Sequence, residues 1–500
     1  MKKKLLAIIG LVIVLGSPVF GQEDAAEKYA ATIKAHELRE LLTIIASDAL
    51  EGRQAGSRGQ KMAAAFITEE FKNMGLQPIV PGPCSPGYLQ SFTLAKYDIN
   101  SIYLANDKQT FDLSAAVLYA GRQALQQPQS APALLIDTTR LKGNNLSDRA
   151  VFITGRITNR QRQQQLSALA YQKGAAMVVF VPFGSQNEFN GYWRNVRHFF
   201  ASRRYSFLNE IPAQEDNGYF VIGPAVLAAL LEVDNEEITK LLGNPTGKKA
   251  RQLNNQQPVI RWLTSKPGRT LETENVLGYL EGSDKKDEVV VITAHYDHIG
   301  RQGNDINNGA DDDGSGTVSV LAIARAFSQA KAAGHGPRRS ILFMTVTAEE
   351  MGLIGSQYYT LHPVLPLSQT VVDLNIDMIG RYDPAHKNNK NFVYLVGSDK
   401  LSADLHQLSE QTNASYTQLQ LDYTYNDENH PDRIYYRSDH WNFAKNNIPI
   451  IFYFSGVHED YHRPTDTVDK IAFDLLEKRA RLVFHTAWAI ANRDARLMLD

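Results

Sequence analysis

The chain has 500 residues, of which 43% are hydrophobic and 21% are charged, a composition typical of folded globular proteins rather than disordered or fibrous ones. This length exceeds that of one ordinary hydrophobic core, so we expect two or more domains. The formal net charge of -2 argues against nucleic-acid binding driven by bulk electrostatics.

Residues 1–21 have the pattern of a signal peptide. Three lysines, Lys2–Lys4, precede an apolar run from Leu5 to Leu15, and small residues then allow cleavage near Gly21. A membrane anchor is the alternative, but the run is shorter than the ~20 apolar residues that span a bilayer. No cysteine lies near the cleavage point to carry a lipid. The pattern therefore predicts an exported protein, periplasmic or secreted, without a stable membrane anchor.

The segment 22–113 begins with helical periodicity. Apolar residues mark one face from Ala26 to Leu50, and a second amphipathic pattern runs from Gln60 to Met74, where Gly75 ends it. Alternation between Tyr88 and Ala105 favours antiparallel edge strands.

The segment 114–261 has a different texture. It is rich in glutamine, and its apolar runs are short: Ala133–Ile136, Ala150–Thr154 and Ala175–Val181. No group of histidine, aspartate and glutamate residues occurs here at metal-ligand spacing. The segment therefore predicts a small, separately folded insert, a β-rich α/β domain.

The segment 262–500 alternates apolar runs with amphipathic helical patterns. Strand candidates include Val289–Thr293, Ile341–Val346 and Val371–Ile376, and a helix is expected over Gly316–Ala333. Nearly continuous apolar runs of this length are typical of strands that are covered on both faces. We therefore expect an α/β fold with a mixed, mostly parallel central sheet flanked by helices.

Charged side chains follow the predicted strands of this last segment. His295, the pair Glu349–Glu350 and Asp377 each come directly after an apolar run. Ligands of open α/β sheets bind beyond the carboxyl ends of the strands, so these side chains are expected to share one pocket. Their burial would be unfavourable unless they were paired or bound to metal.

Other candidates have ordinary readings as well as functional ones. Asp312 lies in a glycine-flanked acidic turn, which could be solvated or could stabilise the start of the following helix. His462 lies in a polar loop, where a surface histidine is the simple reading. His295 and Asp297 share one side of an extended chain, so Asp297 could accept the second ring N–H of a metal-bound imidazole, or the two could form a surface pair.

Together these residues predict a site for two metal ions. No cysteine lies nearby, and nitrogen and oxygen ligands suit zinc, cobalt or manganese. The three ligand-type carboxylates Asp312, Glu350 and Asp377 carry three negative charges, so two divalent cations leave room for a hydroxide. Glu349, on the opposite side of an extended chain from Glu350, could address the water.

Five motifs resemble, in order, those of the co-catalytic dizinc aminopeptidases, whose relatives include glutamate carboxypeptidases and glutaminyl cyclases. The motifs are His295-x-Asp297, Gly309-Ala310-Asp311-Asp312-Asp313-Gly314-Ser315-Gly316, Ala348-Glu349-Glu350, Asp377-Met378 and Tyr461-His462-x-Pro464-x-Asp466-Thr467. The resemblance covers about Thr270 to the C-terminus and the helices before Ser114. The segments 22–113 and 262–500 would together form the peptidase domain.

The resemblance implies two zinc ions, with cobalt or manganese as substitutes, and a role for each residue. One zinc would be held by His295 and Asp377, the other by Glu350 and His462, and Asp312 would bridge both ions through a turn with a cis peptide bond at Asp312-Asp313. Glu349 would be the general base and Asp297 would orient His295. The stretch Ser438-Asp439-His440 also resembles a recurrent part of the family near the substrate pocket.

The insert resembles the protease-associated domain found in many of these enzymes. The matching stretches are Ala150–Gly155, Lys173–Ala176 and Ile211–Ala213. That domain is non-catalytic, so this part of the chain would shape access to the site or contact a protein partner that the sequence does not identify.

The resemblance implies an exopeptidase acting on peptides, most simply an aminopeptidase, and the signal-peptide pattern implies that it is exported. Glutaminyl cyclisation uses a single zinc, and the complete five-ligand set argues against it. Carboxypeptidase action needs basic groups for the substrate carboxylate, for which Arg301, Arg381 and Arg437 are candidates. A non-catalytic binding protein of the same fold is disfavoured because no ligand is missing.

Overall fold

The computed structural model describes residues 20–98, 101–115, 117–121, 125, 127–201, 204–207, 218–264, 266–427 and 430–500. The predicted signal peptide, 1–21, lies outside these ranges except for its last two residues, and the stretch Ile211–Ala213 lies outside them entirely. No helix in the ranges given is both long and apolar enough to cross a membrane.

The strands, in chain order, are β1 (Leu89–Asp98), β2 (Tyr103–Ala105), β3 (Thr110–Asp112), β4 (Leu118–Ala120), β5 (Gln129–Asp137), β6 (Ala150–Thr154), β7 (Met177–Val181), β8 (Arg204–Phe207), β9 (Tyr219–Val221), β10 (Val259–Leu263), β11 (Lys266–Leu280), β12 (Lys285–His295), β13 (Gly300–Gln302), β14 (Asp305–Asn307), β15 (Arg339–Val346), β16 (Thr370–Ile376), β17 (Phe392–Val396), β18 (Gln420–Asp422) and β19 (Ile450–Phe454).

The helices are α1 (Phe20–Ala30), α2 (Ala35–Ile45), α3 (Arg58–Asn73), α4 (Arg160–Gln172), α5 (Gln186–Ala201), α6 (Pro224–Leu231), α7 (Asn235–Gly243), α8 (Lys248–Gln256), α9 (Gly316–Ala332), α10 (Ile354–Leu361), α11 (Ala403–Thr412), α12 (His440–Ala444) and α13 (Phe473–Asn492). The single helix expected over Ala26–Leu50 is therefore interrupted between α1 and α2, and a tight turn, Asp48–Arg53, follows α2.

The chain forms two compact units, one made of Met1–Ser91 and Thr273–Asp500 and the other of Phe92–Glu272. The second unit extends beyond the segment 114–261 at both ends. The reason at the start is strand pairing: β2 lies antiparallel to both β10 and β3, so this hairpin belongs to the sheet of the insert.

The first unit is built on a mixed sheet with the strand order β18-β17-β19-β16-β12-β15-β11. Strand β12 lies parallel to both β15 and β16, and β16 lies parallel to β19. Strands β11 and β17 are antiparallel to their neighbours β15 and β19. The prediction of a mixed sheet, mostly parallel at its centre and flanked by helices, is confirmed.

Both faces of this sheet are covered, which explains its continuous apolar strands. Val290 and Ile292 belong to a core that includes residues of α9 and α13. Val289 and Val291 belong to a second core on the opposite face, which includes Tyr359 of α10 and residues of α12. Because side chains alternate along a strand, each strand residue must be apolar to serve one core or the other.

The second unit contains a sheet with the order β3-β2-β10-β5-β6-β7-β9-β4. Strands β5, β6 and β7 are parallel neighbours, and their apolar residues are mostly buried. The predicted runs Ala133–Ile136, Ala150–Thr154 and Ala175–Val181 coincide with these strands or overlap them. This unit is a separate α/β body, and its likeness to a protease-associated domain stays a prediction.

Replacing Phe327 by alanine tests the core on the α9 face. Phe327 is fully buried and its ring packs against those of Phe343, Phe484 and Trp488. We expect the free energy of unfolding to fall by about 3–5 kcal/mol because the substitution leaves a cavity. Urea denaturation followed by circular dichroism measures the change. The exposed Leu361 is the control, since its replacement by alanine should cost less than about 0.5 kcal/mol.

Candidate metal centre

Three neighbouring strand ends deliver the first group of candidate residues. His295 is the last residue of β12, Glu349 follows the end of β15 and Asp377 follows the end of β16. These strands are parallel and adjacent, and His295 is in register with Val346, the last residue of β15. The expectation that these residues meet at one edge of the sheet follows from this register, and the geometry places them there.

The two glutamates reach the same pocket because the chain turns sharply before them. Ala348 has a positive φ of 56°, a conformation that residues other than glycine seldom adopt. The main-chain carbonyl of Glu349 then accepts hydrogen bonds from Gly352 and Leu353. The extended arrangement considered for Glu349 and Glu350, with opposed side chains, is therefore absent.

The acidic turn gives its three aspartates three different surroundings. Asp313 accepts hydrogen bonds from the main-chain N–H groups of His295, Gly316 and Met378. Asp311 accepts one from Gly380 and faces His458, whose Nε2 lies 3.2 Å from its Oδ2. Of the three aspartates, only Asp312 faces both candidate histidine ligands, His295 and His462. The peptide bond Asp312-Asp313 is cis, as the resemblance implies.

The first group surrounds Nε2 of His295. This atom lies 3.4 Å from Oδ1 of Asp312, 3.6 Å from Oδ1 of Asp377 and 3.9 Å from Oε2 of Glu349. The other oxygen of Asp377 accepts a hydrogen bond of 2.7 Å from Ser438, which fixes the orientation of the carboxylate. Ser438, in the stretch singled out from the sequence, thus supports a candidate ligand.

The second group surrounds Nε2 of His462, which lies 3.1 Å from Oδ2 of Asp312 and 3.2 Å from Oε2 of Glu350. The two oxygens of Asp312 therefore face different groups. All five predicted ligands, His295, Asp312, Glu350, Asp377 and His462, are brought together, with Glu349 beside them.

The contacts between imidazole and carboxylate have the spacing expected of ligands that share a cation. With bonds of ~2.0–2.2 Å, two ligands of a tetrahedral zinc ion lie ~3.3 Å apart, close to the four distances that Asp312, Asp377 and Glu350 make with His295 and His462. Nε2 of His295 and Oδ2 of Asp312 are buried without a hydrogen-bond partner. Buried polar atoms of this kind are normally satisfied, so atoms that converge without bonding to one another fit an intervening cation.

Asp297 contacts its neighbours differently from the expectation. Nδ1 of His295 lies 3.1 Å from the main-chain carbonyl of Asp297 and 3.7 Å from its carboxylate, so the carbonyl is the nearer acceptor. The carboxylate accepts a hydrogen bond of 3.1 Å from the main-chain N–H of Glu349. Asp297 therefore connects the end of β12 to the turn that carries the glutamates.

The surroundings shift the pKa values of the two glutamates in opposite directions. Burial raises the pKa of Glu349 well above its usual range, and the negative charge of Glu350 raises it further, although His295 opposes the shift. Burial also raises the pKa of Glu350, but contacts with His298 and His462 outweigh it, so that pKa is lowered. Glu350 is thus suited to remain an anionic ligand and Glu349 to accept a proton.

Sequence reasoning missed Arg53, which lies in the tight turn after α2. Its side chain is fully buried and donates four hydrogen bonds to main-chain carbonyls, those of Tyr296, Ile45, Asn308 and Gly309, at 2.7–2.9 Å. Burial lowers its pKa to about 10, so the guanidinium is charged at neutral pH. This cation connects the end of β12 to the acidic turn and partly offsets the carboxylates around it.

Sequence reasoning also missed His298, three residues beyond His295. Its Nδ1 lies 2.7 Å from Oε1 of Glu350 and 3.8 Å from Oδ2 of Asp312. With those two residues it forms a group able to hold a metal ion. The available signal was the spacing of a second histidine just after a ligand at a strand end.

Comparison with known proteins finds a family model that matches the part of the chain containing the predicted ligands. Residues 275–487 match the sequence model of the family described as Peptidase family M28, and this range contains all five predicted ligands and Glu349. The chain is 28% identical over 265 residues to a probable leucine aminopeptidase of Arthroderma otae, covering 51% of this chain and 64% of that protein. It is 25% identical over 285 residues to a probable zinc metalloprotease of Pyrenophora tritici-repentis, covering 48% of this chain and 56% of that protein.

The matched region therefore spans less than two thirds of the length of both curated relatives. Among solved structures, an aminopeptidase from Aneurinibacillus sp. strain AM-1 is similar with a TM-score of 0.54 at 18% identity, covering 95% of this chain and 98% of that one. This likeness supports the α/β fold.

Replacing Arg53 by methionine should weaken both the fold and the binding of zinc. The change leaves four buried carbonyls without their donor, each worth about 1–3 kcal/mol, and removes a cation beside the acidic turn. We expect a loss of at least about 3 kcal/mol in the free energy of unfolding and weaker zinc binding, measured by urea denaturation and by competition with a chelator.

The matched control is Arg339, which is also buried but lies at the opposite end of β15, beside Glu288. Replacement of Arg339 by methionine should lower stability and leave zinc affinity unchanged. Equal zinc affinities in the two variants would contradict the connection between Arg53 and the metal centre.

Proposed function

Because residues 275–487 match the sequence model of peptidase family M28, we propose that the chain is a zinc metallopeptidase, an aminopeptidase that removes N-terminal residues from peptides. The observation that carries the proposal is the placement of Asp312 between two groups of ligands, with one oxygen facing His295 and the other facing His462. The names of the curated relatives support this proposal, since one is a probable leucine aminopeptidase and the other a probable zinc metalloprotease.

Two zinc ions suit this set of residues, and cobalt or manganese could replace them. His295, Asp312 and Asp377 would hold one ion, and Asp312, Glu350 and His462 the other. Three carboxylates among five ligands leave two divalent cations with a net charge of about one positive unit. A single cation would leave the buried pocket negative, at a high cost in desolvation.

The bound ions would supply Lewis acid catalysis, by polarising the scissile carbonyl and lowering the pKa of a water molecule toward ~7. Glu349 then performs the proton transfers. Its carboxylate lies 3.9 Å from Nε2 of His295 and is not one of the five predicted ligands, and its raised pKa lets it hold a proton. In our proposal Oε2 of Glu349 takes a proton from the attacking water and delivers it to the nitrogen of the leaving amine.

Asp297 acts as a positioning residue in this scheme. Its carboxylate accepts the main-chain N–H of Glu349, and its main-chain carbonyl contacts Nδ1 of His295. These contacts set the separation between the proton acceptor and the first metal ligand. Hydrogen bonds of this kind fix the tautomer and orientation of a metal-bound imidazole.

Carboxypeptidase action is the second candidate, and Arg437 is the observation that keeps it open. Arg437 is exposed, and its guanidinium lies 3.4 Å from the hydroxyl of Tyr461, which stacks on His462. Arg381, in contrast, pairs with Asp460, so its charge is already offset. Glutaminyl cyclisation would need one zinc ion, and a measured content near one per chain would favour it.

We further propose that the protein is exported through the segment 1–21, and that the unit Phe92–Glu272 plays a non-catalytic role like that of a protease-associated domain. The support for export is the lysine-rich and then apolar pattern of the segment. The support for the second point is that the predicted ligands all lie outside this unit.

Replacement of Glu349 by glutamine tests the general base. We expect kcat to fall by about 10²–10⁴ because the amide cannot accept the proton, while zinc content stays unchanged because Glu349 is not a ligand. Turnover of an aminoacyl chromogenic substrate and elemental analysis measure the two quantities. The exposed Glu459, changed to glutamine, is the control, and near-normal turnover in the Glu349 variant would disprove its role.

Peptides blocked at either end separate the two exopeptidase activities. An aminopeptidase should cleave a peptide amidated at its carboxyl end and leave one acetylated at its amino end intact, because it must bind a free α-amine beside the scissile bond. Mass spectrometry of the products measures this difference. Cleavage of the acetylated peptide alone would instead favour a carboxypeptidase with Arg437 as the carboxylate-binding group.

A further inference from the structure

His298 is a fully buried histidine in the metal centre that the five-ligand scheme does not use. It lies three residues beyond the end of β12, and neither of its ring nitrogens has a hydrogen-bond partner. Buried polar side chains normally find partners, and an imidazole nitrogen is a common metal ligand. The absence of a partner therefore points to a metal ion that would bind between the imidazole and the neighbouring carboxylates.

The ring of His298 is held close to the second group of ligands. Nδ1 lies 2.7 Å from Oε1 of Glu350 and 3.8 Å from Oδ2 of Asp312. On its other side the main chain of Gly309 packs so closely that a Cβ there would lie 2.6 Å from the imidazole carbons. Gly309 also has a positive φ of 55°, so both its conformation and its lack of a side chain allow the ring to sit against the acidic turn.

The direction of the ring, rather than its distance from Glu350, favours a ligand over a hydrogen-bond donor. The 2.7 Å between Nδ1 of His298 and Oε1 of Glu350 would suit a hydrogen bond, but that bond needs an N–H aimed at its acceptor, and neither atom has a hydrogen-bond partner. Two ligands of one zinc ion lie ~3.3 Å apart, from bonds of ~2.0–2.2 Å, and the two separations of Nδ1 lie on either side of this value.

The position of the His462 ring gives an independent test of whether the two imidazoles could bind one zinc ion. The ring centroids of His298 and His462 lie 5.7 Å apart, with the planes inclined at 72°. Two imidazoles bound to one zinc ion through bonds of ~2.0–2.1 Å place their centroids ~5–6 Å apart. Both rings are therefore at the right separation to share the cation that Asp312 and Glu350 would hold.

We propose that His298 is a fourth protein ligand of the second zinc ion, binding through Nδ1 together with Asp312, Glu350 and His462. This assignment rests on the proposed two-metal function and adds a residue to its five ligands. It makes the two metal positions unequal: one has four protein ligands, two of them imidazoles, and the other has three.

The inequality has a functional consequence. Zinc sites with four protein ligands are typical of tightly held ions, whereas sites with three keep a position open for water or substrate. We therefore expect the ion at His295 to dissociate first when zinc is removed. The ion at His298 would stay longer, because one of its imidazoles is fully buried although His462 is 37% exposed.

Two substitutions at position 298 separate ligation from hydrogen bonding. Nδ1 is two bonds from Cβ, as are the carboxylate oxygens of aspartate and the amide nitrogen of asparagine. An aspartate can bind zinc but cannot donate a hydrogen bond, whereas an asparagine donates one but is a poor zinc ligand. Zinc affinities of the wild type, His298→Asn and His298→Asp are measured by chelator competition, with His485→Asn, in α13, as the control.

We expect the wild type to bind two zinc ions. His298→Asn should weaken one of them by at least about tenfold, the lower bound for groups that only support a ligand, while His298→Asp and His485→Asn bind both ions as the wild type does. Normal binding by His298→Asn, with or without a loss in His298→Asp, would overturn the ligand assignment. Fewer than two ions in the wild type would instead contradict the two-metal function on which it rests.

A measurement on the unmodified chain covers variants that fail to fold. In the protein loaded with ¹¹³Cd and labelled with ¹⁵N-histidine, each metal-bound imidazole nitrogen shows a one-bond coupling to cadmium. Three coupled histidines, His295, His298 and His462, are expected. Two coupled histidines would overturn the assignment without any substitution.

Discussion

The concentration of buried carboxylates beyond three strand ends is the constraint on which the rest of the first unit depends. Asp297, Asp311, Asp312 and Asp313 are all buried within a short stretch of chain, and Glu349 and Glu350 adjoin them. Charges removed from water must be paired or solvated by fixed dipoles. The fold supplies both kinds of compensation. Main-chain N–H groups act as fixed dipoles for some carboxylates, and charge is offset by cations, namely Arg53 nearby and the metal ions that the ligands at the centre would bind.

The carboxylates have different roles because main-chain N–H groups donate hydrogen bonds to some of them and not to others. Asp313 receives three main-chain N–H groups and Asp466 receives those of Asp311 and Asp312. Those carboxylates therefore hold the turn in place. Asp312 is left with its oxygens aimed at imidazoles, so its charge has to be met by what those imidazoles bind. The fixed position of the turn and the orientation of Asp312 toward the two histidines are two results of one hydrogen-bond pattern.

Much of this arrangement could be predicted from sequence, because continuous apolar runs indicate buried parallel strands, and the carboxyl ends of such strands lie together. His295, Glu349 and Asp377 were found in this way. The remainder depends on backbone shape that residue types do not reveal. Ala348, Met378 and His462 all have positive φ angles, near 56°, although none is glycine, the residue that usually marks that conformation.

Each of these left-handed residues is a ligand or adjoins a candidate functional residue, where it turns the chain back toward the pocket at a cost of about 1–2 kcal/mol. Arg53 escaped notice for a related reason. An arginine in a short loop is most simply a surface residue, and only tertiary contacts from Ile45, Tyr296 and Asn308 make it the connection between two distant parts of the chain. The N-terminal segment thus contributes to the candidate metal centre as well as the motifs, since Arg53 donates hydrogen bonds to residues on the other side of the inserted unit. A chain lacking residues 20–91 would keep every predicted ligand and still lack the cation of Arg53 and its hydrogen bonds to Tyr296, next to the end of β12, and to Gly309, at the start of the acidic turn.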